Sequence, residues 1–250
     1  MRIVTSTAVL AGTVLALGAC RVSIAATTYH EDHSYGLTAG ALTIDSNSGE
    51  LEIVATDAPT ISVHEKLNFT RNRRPVTVHS VSGNTLSLKY SCPGGLVIGN
   101  NDCSVDYQVQ VPRATPVRVV GGSGNVTLHG LTGALNLQVK SGDVTGGDLT
   151  GTVQVTVDSG SITLNGLTGT GVAAQANSGD ITLAFARAPG SVTAGVDSGS
   201  VRIALPGDQR YAVDARVDSG TRTVDVTQDP AAPHHVRATA NSGDVTVTKN

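Results

Sequence analysis

The chain has 250 residues with 29 Gly, one Met, no Trp and 3% aromatic residues, which argues against a bulky helical core and leaves Val, Leu, Ile and Ala to fill many thin strands. A formal charge of -3 with 15% charged residues gives no basic field for nucleic acid, and few rings are present to stack bases. The one short basic run, Arg71-Asn72-Arg73-Arg74 before Pro75, reads as a solvated loop that at most touches an anionic wall polymer or lipid surface.

Residues 1–19 read as a signal peptide of the lipoprotein type. Arg2 supplies the positive start, Val9 to Leu17 is an apolar run too short to span a bilayer, and Leu17-Gly18-Ala19-Cys20 ends it with small residues before a cysteine. Cys20 is the expected lipidation site, holding the mature protein to the outer face of the cell membrane. The alternative is an ordinary signal cleaved after Ala25 or Ala26, which would release the protein. Residues 20–36 are polar and aperiodic and are expected to form a flexible tether. His30-Glu31-Asp32-His33 within it has metal-ligand residue types, but on a tether they are not preorganised, so no metal or other cofactor is expected.

Residues 37–250 are expected to form a single repeat domain. Nine Ser-Gly pairs punctuate it, at Gly49, Gly83, Gly124, Gly142, Gly160, Gly179, Gly199, Gly220 and Gly243. Seven, five and three residues before each glycine stands an alternating set, for example Leu42, Ile44, Ser46; Val76, Val78, Ser80; and Val153, Val155, Val157. A period of two puts such side chains on one face of a strand. The alternation resumes after most of the glycines, as in Leu51 and Ile53 or Ile162 and Leu164. Each unit is therefore strand, tight turn, strand, with glycine supplying positive φ and the preceding Asp or Asn, as in Asp158, Asn177, Asp197, Asp218 and Asn241, expected to bond turn amides.

From Gly124 the glycines are spaced 18, 18, 19, 20, 21 and 23 residues apart, while the earlier units span 34 and 41. A unit this short cannot bury its own apolar face, so the expected fold is all-β: a parallel β-helix or β-solenoid of about 18–23-residue coils, longer at the N-terminus, with coils about 4.8 Å apart. An antiparallel sandwich or barrel from the same strands is the alternative. Three departures mark bulges or coil ends: the apolar phase slips to Leu86, Leu88 and Tyr90 after Gly83, Gly146 replaces an apolar residue, and Arg222 falls at an inward position. Cys92 and Cys103 enclose a loop able to close on itself. A disulfide is expected, the alternatives being free thiols or half of a metal site.

The Asp/Asn-Ser-Gly-Asp/Ser-Val/Ile-Thr units, with Leu86 to Pro93, Cys103 to Tyr107 and Val111-Pro112, resemble the bacterial adhesin-like β-strand-repeat domains of unknown function in the toastrack group. The likeness spans Leu37 to Thr248. It implies a single-stranded right-handed β-helix outside the cytoplasmic membrane, in a family whose members are labelled adhesins or linked to envelope-stress sensing.

The residues themselves favour a non-catalytic reading. The Asp residues recur at one turn position, which needs no acid–base pair to explain it, and the nucleophile-elbow, zincin and phosphate-loop motifs do not occur. About one carboxylate per coil is too few for calcium. The column Thr127, Thr145, Thr163, Thr182, Thr223 and Thr246 suits a solvated strand face better than an ice-binding array, because Arg202 interrupts it. The expected function is a lipid-anchored surface binding or adhesin-like module meeting a cell-wall glycan or envelope protein. The alternative is a sensor or scaffold in the envelope stress response; a carbohydrate-active β-helix enzyme is a minor one. The last coil, ending at Val245 to Thr248, is expected to leave an open edge for end-to-end self-association.

Overall fold

The computed structural model describes residues 27–35, 40–70, 73–94 and 102–250, with side chains from residue 40 onward. Seven strands precede the regular coils: β1 (Thr27–Tyr35), β2 (Ala41–Ser48), β3 (Leu51–Thr56), β4 (Ile61–Phe69), β5 (Val76–Ser82), β6 (Thr85–Ser91) and β7 (Cys103–Pro112). Five coils follow in sequence order: β8 (Val117–Ser123) with β9 (Val126–His129), β10 (Leu135–Ser141) with β11 (Val144–Gly147), β12 (Val153–Ser159) with β13 (Ile162–Leu167), β14 (Gly171–Ser178) with β15 (Ile181–Phe185), and β16 (Ser191–Ser198) with β17 (Val201–Leu205). The last two coils are β18 (Ala212–Ser219) with β19 (Arg222–Asp225) and β20 (His235–Ser242) with β21 (Val245–Lys249).

The strands before the Ser-Gly corners join a ten-stranded sheet and those after them an eleven-stranded sheet, with parallel pairing from coil to coil. This is the β-solenoid expected from the spacing. The inward triads stack on their equivalents, for instance Leu137 on Val155 and Val155 on Ala174, and all three are fully buried. A third side is closed by Leu131 and Leu149 of the connecting segments and by Leu167 at the end of β13, each also fully buried. Gly146 makes that possible, because a Cβ there would lie 2.9 Å from Leu149 Cδ1 and 2.7 Å from Leu164 Cδ2.

The corner glycines are required by stacking as well as by turn geometry. At Gly160 φ is +137°, and a Cβ would sit 2.2 Å from the carbonyl oxygen of Gly142 in the neighbouring coil. The same contact recurs from Gly124 on Gly49 through Gly199 on Gly179, so the glycines form a continuous file.

Four expectations are corrected. Residues 27–35, placed in the tether, form β1 and pair antiparallel with β4. An edge strand needs only backbone groups to pair, so the lack of apolar periodicity did not betray it. The remaining tether residues, the signal segment and Cys20 lie outside the described residues. Gly83 is not a solenoid corner: it turns an antiparallel β5–β6 hairpin with φ of +58° and open space around it. Val76 and Val78, expected inside, are consequently 55% and 52% exposed, and β6 carries Leu86, Leu88 and Tyr90 inward instead.

The third correction concerns coil order. The C-terminal coil does not end the stack. β20 lies between β16 and β18, and β21 between β17 and β19, so Val247 is buried against Ile203 on one side and beside Val224 on the other. The open edges at this end are β18 and β19. Arg222 supplies the physical reason: it occupies the inward column, paired with Val245, and stays exposed only because its coil is outermost. Enclosing that guanidinium between two coils would cost several kcal/mol. Tyr211 anchors the crossing connection, fully buried with its hydroxyl donating to the Pro206 carbonyl at 2.8 Å.

The fourth concerns the Asp before each serine. The corner amides are bonded by the residue after glycine in the neighbouring coil: Asp143 accepts from the Ser161 N–H, Asp180 from Ser200 and Asp244 from Thr221, each at 2.8 Å. The Ser200 N–H, then Arg202, holds the Asp180 carboxyl below the ordinary carboxylate range. The pre-serine residues form an outer ladder instead, Asn177 donating to Asp158 at 3.4 Å and Asn241 to Asp197 at 2.9 Å. In space the file reads Asp158, Asn177, Asp197, Asn241, Asp218. Acid and amide alternate, and only insertion of the last coil keeps Asp197 and Asp218 apart.

Candidate functional surface

The stack presents three distinct regions: an N-terminal cap, the outward face of each sheet, and the β18–β19 end. The cap extends the corner-bearing coils by one more layer, since β6 pairs with β2 and β7 with β3. Cys92, just after β6, and Cys103, at the start of β7, form a disulfide with Cα atoms 6.0 Å apart. A covalent bond thus joins the two strands of this layer, and it belongs to an oxidising compartment. Tyr90 seals the joint: its hydroxyl bonds both the N–H and the carbonyl of Ser48, and burial pushes its pKa up. One layer further out, the His79 ring nitrogen Nε2 on β5 lies 2.5 Å from the fully buried Glu65 carboxylate on β4.

A small hollow of about 270 Å³ lies beside the cap, walled by Glu50, Glu52, His64, Lys66, Asp106 and Gln108. Asp106 is committed to structure there, accepting from the Glu50 N–H at 3.0 Å and from Asn68 Nδ2 at 2.9 Å. Among the described residues no group of three or more His, Cys, Asp or Glu side chains is placed to hold a metal ion.

On the eleven-stranded sheet the threonine column is real: the Thr127 and Thr145 hydroxyls are 3.3 Å apart. Arg202 interrupts it and is tied to Asp180 at 3.1 Å. The outward face of the ten-stranded sheet is different in kind. Its first file runs Thr43, Arg118, Asn136, Gln154, Ala173, Thr193 in register across six strands. Arg118 Nη1 donates to Asn136 Oδ1 at 3.4 Å, and Asn136 Nδ2 donates to Gln154 Oε1 at 3.1 Å. The second file includes Gln138, Thr156 and Gln175. A shallow groove of about 540 Å³ follows the first file along the stack axis, floored by small residues such as Ala134, Gly171 and Ser191. Sequence reasoning singled out the threonines and missed these amides, although Asn136 and Gln154 directly follow Leu135 and Val153, as Arg118 follows Val117, and were legible as a column.

No curated protein matches the chain in sequence. Among solved structures, a candidate adhesin of Bacteroides fragilis superposes with a TM-score of 0.55 at 15% identity, covering 89% of this chain and 97% of that one. A candidate cell-adhesion protein of Clostridium sporogenes is a weaker likeness, with a TM-score of 0.44 at 13% identity over 90% of this chain and all of that one. The first supports the fold alone. The Toastrack DUF4097 family model matches residues 114–248, which is more than half of the chain and runs from β8 to the inserted last coil, and the protein belongs to that family.

Proposed function

We infer that this protein is a non-catalytic, adhesin-like binding module displayed outside the cytoplasmic membrane, with the outward face of the ten-stranded sheet as its working surface. The observation that carries the reading is the amide and hydroxyl carpet of that face, repeated from coil to coil, set against carboxylates that are spent on the ladders joining the coils. A repeated polar plane suits a repetitive partner; it offers no singular pocket in which one bond would be polarised. The disulfide agrees with export. Lipidation of Cys20 is part of the same proposal and would hold the stack at the membrane.

Binding of the purified protein to envelope fractions from bacteria tests the reading. Saturable retention on wall or surface polymer supports it. Capture of a single membrane protein with no polymer retention would overturn it in favour of an envelope-stress sensor. Replacing Cys20→Ser should shift the protein from the membrane to the soluble fraction, and unchanged fractionation would contradict the anchor.

A further inference from the structure

We propose that the groove on the ten-stranded sheet is a track for a linear glycan bearing carboxylates, lying along the stack axis against Thr43, Arg118, Asn136, Gln154 and Thr193. The proposal rests on the surface-binding reading and names its ligand class.

The spacing selects the polymer. Contacts in the first file recur once per coil, about 4.8 Å apart, whereas an extended peptide advances about 3.3 Å per residue and would fall out of step within a few units. A sugar ring in an extended chain is close to the coil spacing and keeps phase. The backbone also argues against a peptide. In the strands lining the groove, N–H and C=O groups are already used between coils, so strand addition is confined to the stack ends. Beside apolar lining residues such as Ala41, Pro116, Ala134 and Ala173, which suit the C–H faces of sugar rings, the groove offers primary amides, hydroxyls and one guanidinium, which donate to and accept from vicinal sugar hydroxyls.

Charge selects the sugar. Arg118 is the one charged residue lining the groove, and no carboxylate lines it. Arg118 is exposed and its guanidinium donates to Asn136. A guanidinium pairs with a sugar carboxylate in a forked geometry that no hydroxyl reproduces. No aromatic ring lies in the groove, so affinity comes from several weak contacts along several units, and short oligomers should bind far less well than long ones.

The test is calorimetric titration of the full chain with a panel of linear uronic-acid oligosaccharides and with neutral cello-oligosaccharides of matched length. The expected result is binding of at least one acidic oligomer tenfold or more tighter than the neutral ones. Arg118→Gln should abolish that preference, and the double variant Asn136→Ala, Gln154→Ala should weaken binding at least tenfold, with unchanged melting temperature. Thr163→Ala on the opposite sheet should bind as the unaltered protein does. No binding to any acidic oligomer, or equal binding by the groove variants, overturns the proposal. If the protein and the groove variants nevertheless retain envelope material equally, the surface-binding reading survives without this site; if the unaltered protein retains none, that reading falls as well.

Discussion

Between β8 and β17 every coil meets a near copy of itself, whereas each end of the stack meets something else. In the middle the same four elements recur: an inward apolar triad, a corner glycine under the next glycine's carbonyl, a bonded amide after it, and a polar outward file. At the N-terminal end a disulfide joins β6 to β7 and the outer strands pair antiparallel. At the other end the order of coils is exchanged so that an inward arginine faces solvent. Repetition builds the binding surface, and the irregular residues decide where repetition stops.

The sharpest way to break that distinction is at the corner glycines. Gly160→Ala places a methyl group against a backbone carbonyl that cannot move independently, and should cost about 4 kcal/mol in chemical denaturation, at the exceptional end of single substitutions. Gly83→Ala has open space and should cost only about 1 kcal/mol, from its positive φ. Equal costs would mean that the corners are not packed as described.

The coil order gives a second pair. Val245→Arg buries a charge inside the stack and should destabilise by about 3 kcal/mol. Arg222→Val, at the same column one coil outward, should change stability by no more than about 0.5 kcal/mol. It should also raise self-association in sedimentation, because an inward charge at an edge discourages pairing. The opposite ranking would restore the sequential order, with the C-terminal coil outermost.

At the N-terminal end, the Cys92→Ser, Cys103→Ser double variant should lose about 2–3 kcal/mol in the chain-entropy picture while leaving the middle coils folded. Loss of cooperative unfolding throughout would show that the cap nucleates the stack. The smallest effect belongs to Asp180. Its pKa is lowered in the folded state, so its stabilising contribution is present at neutral pH and is lost as pH falls through that lowered value. The melting-temperature difference between Asp180→Asn and the unaltered protein should therefore narrow in acid.

Much of the regular part was legible because a two-residue period, a fixed corner and a steady coil length all point to one architecture. The coil exchange was not read, although two of its signatures lay in the sequence. Arg222 is an unaffordable inward residue in any interior coil, and Asp197 and Asp218 would have stacked as like charges in sequential order. Both become informative only when neighbours in space are considered in place of neighbours in sequence. Val76 and Val78 misled for a related reason: alternation fixes which residues share a face, and pairing partners decide whether that face is covered. The groove was missed because amides on an outward file look like ordinary solvated strand until their registers are aligned.

The most direct test of the working-surface assignment is thiol alkylation of single-cysteine variants, read by mass spectrometry, in the presence and absence of retained envelope polymer. Gln154→Cys on the ten-stranded sheet should be protected by the polymer, while Thr163→Cys on the opposite sheet and Thr223→Cys at the stack end should stay reactive. Protection of Thr163→Cys or Thr223→Cys with Gln154→Cys left open would contradict the account.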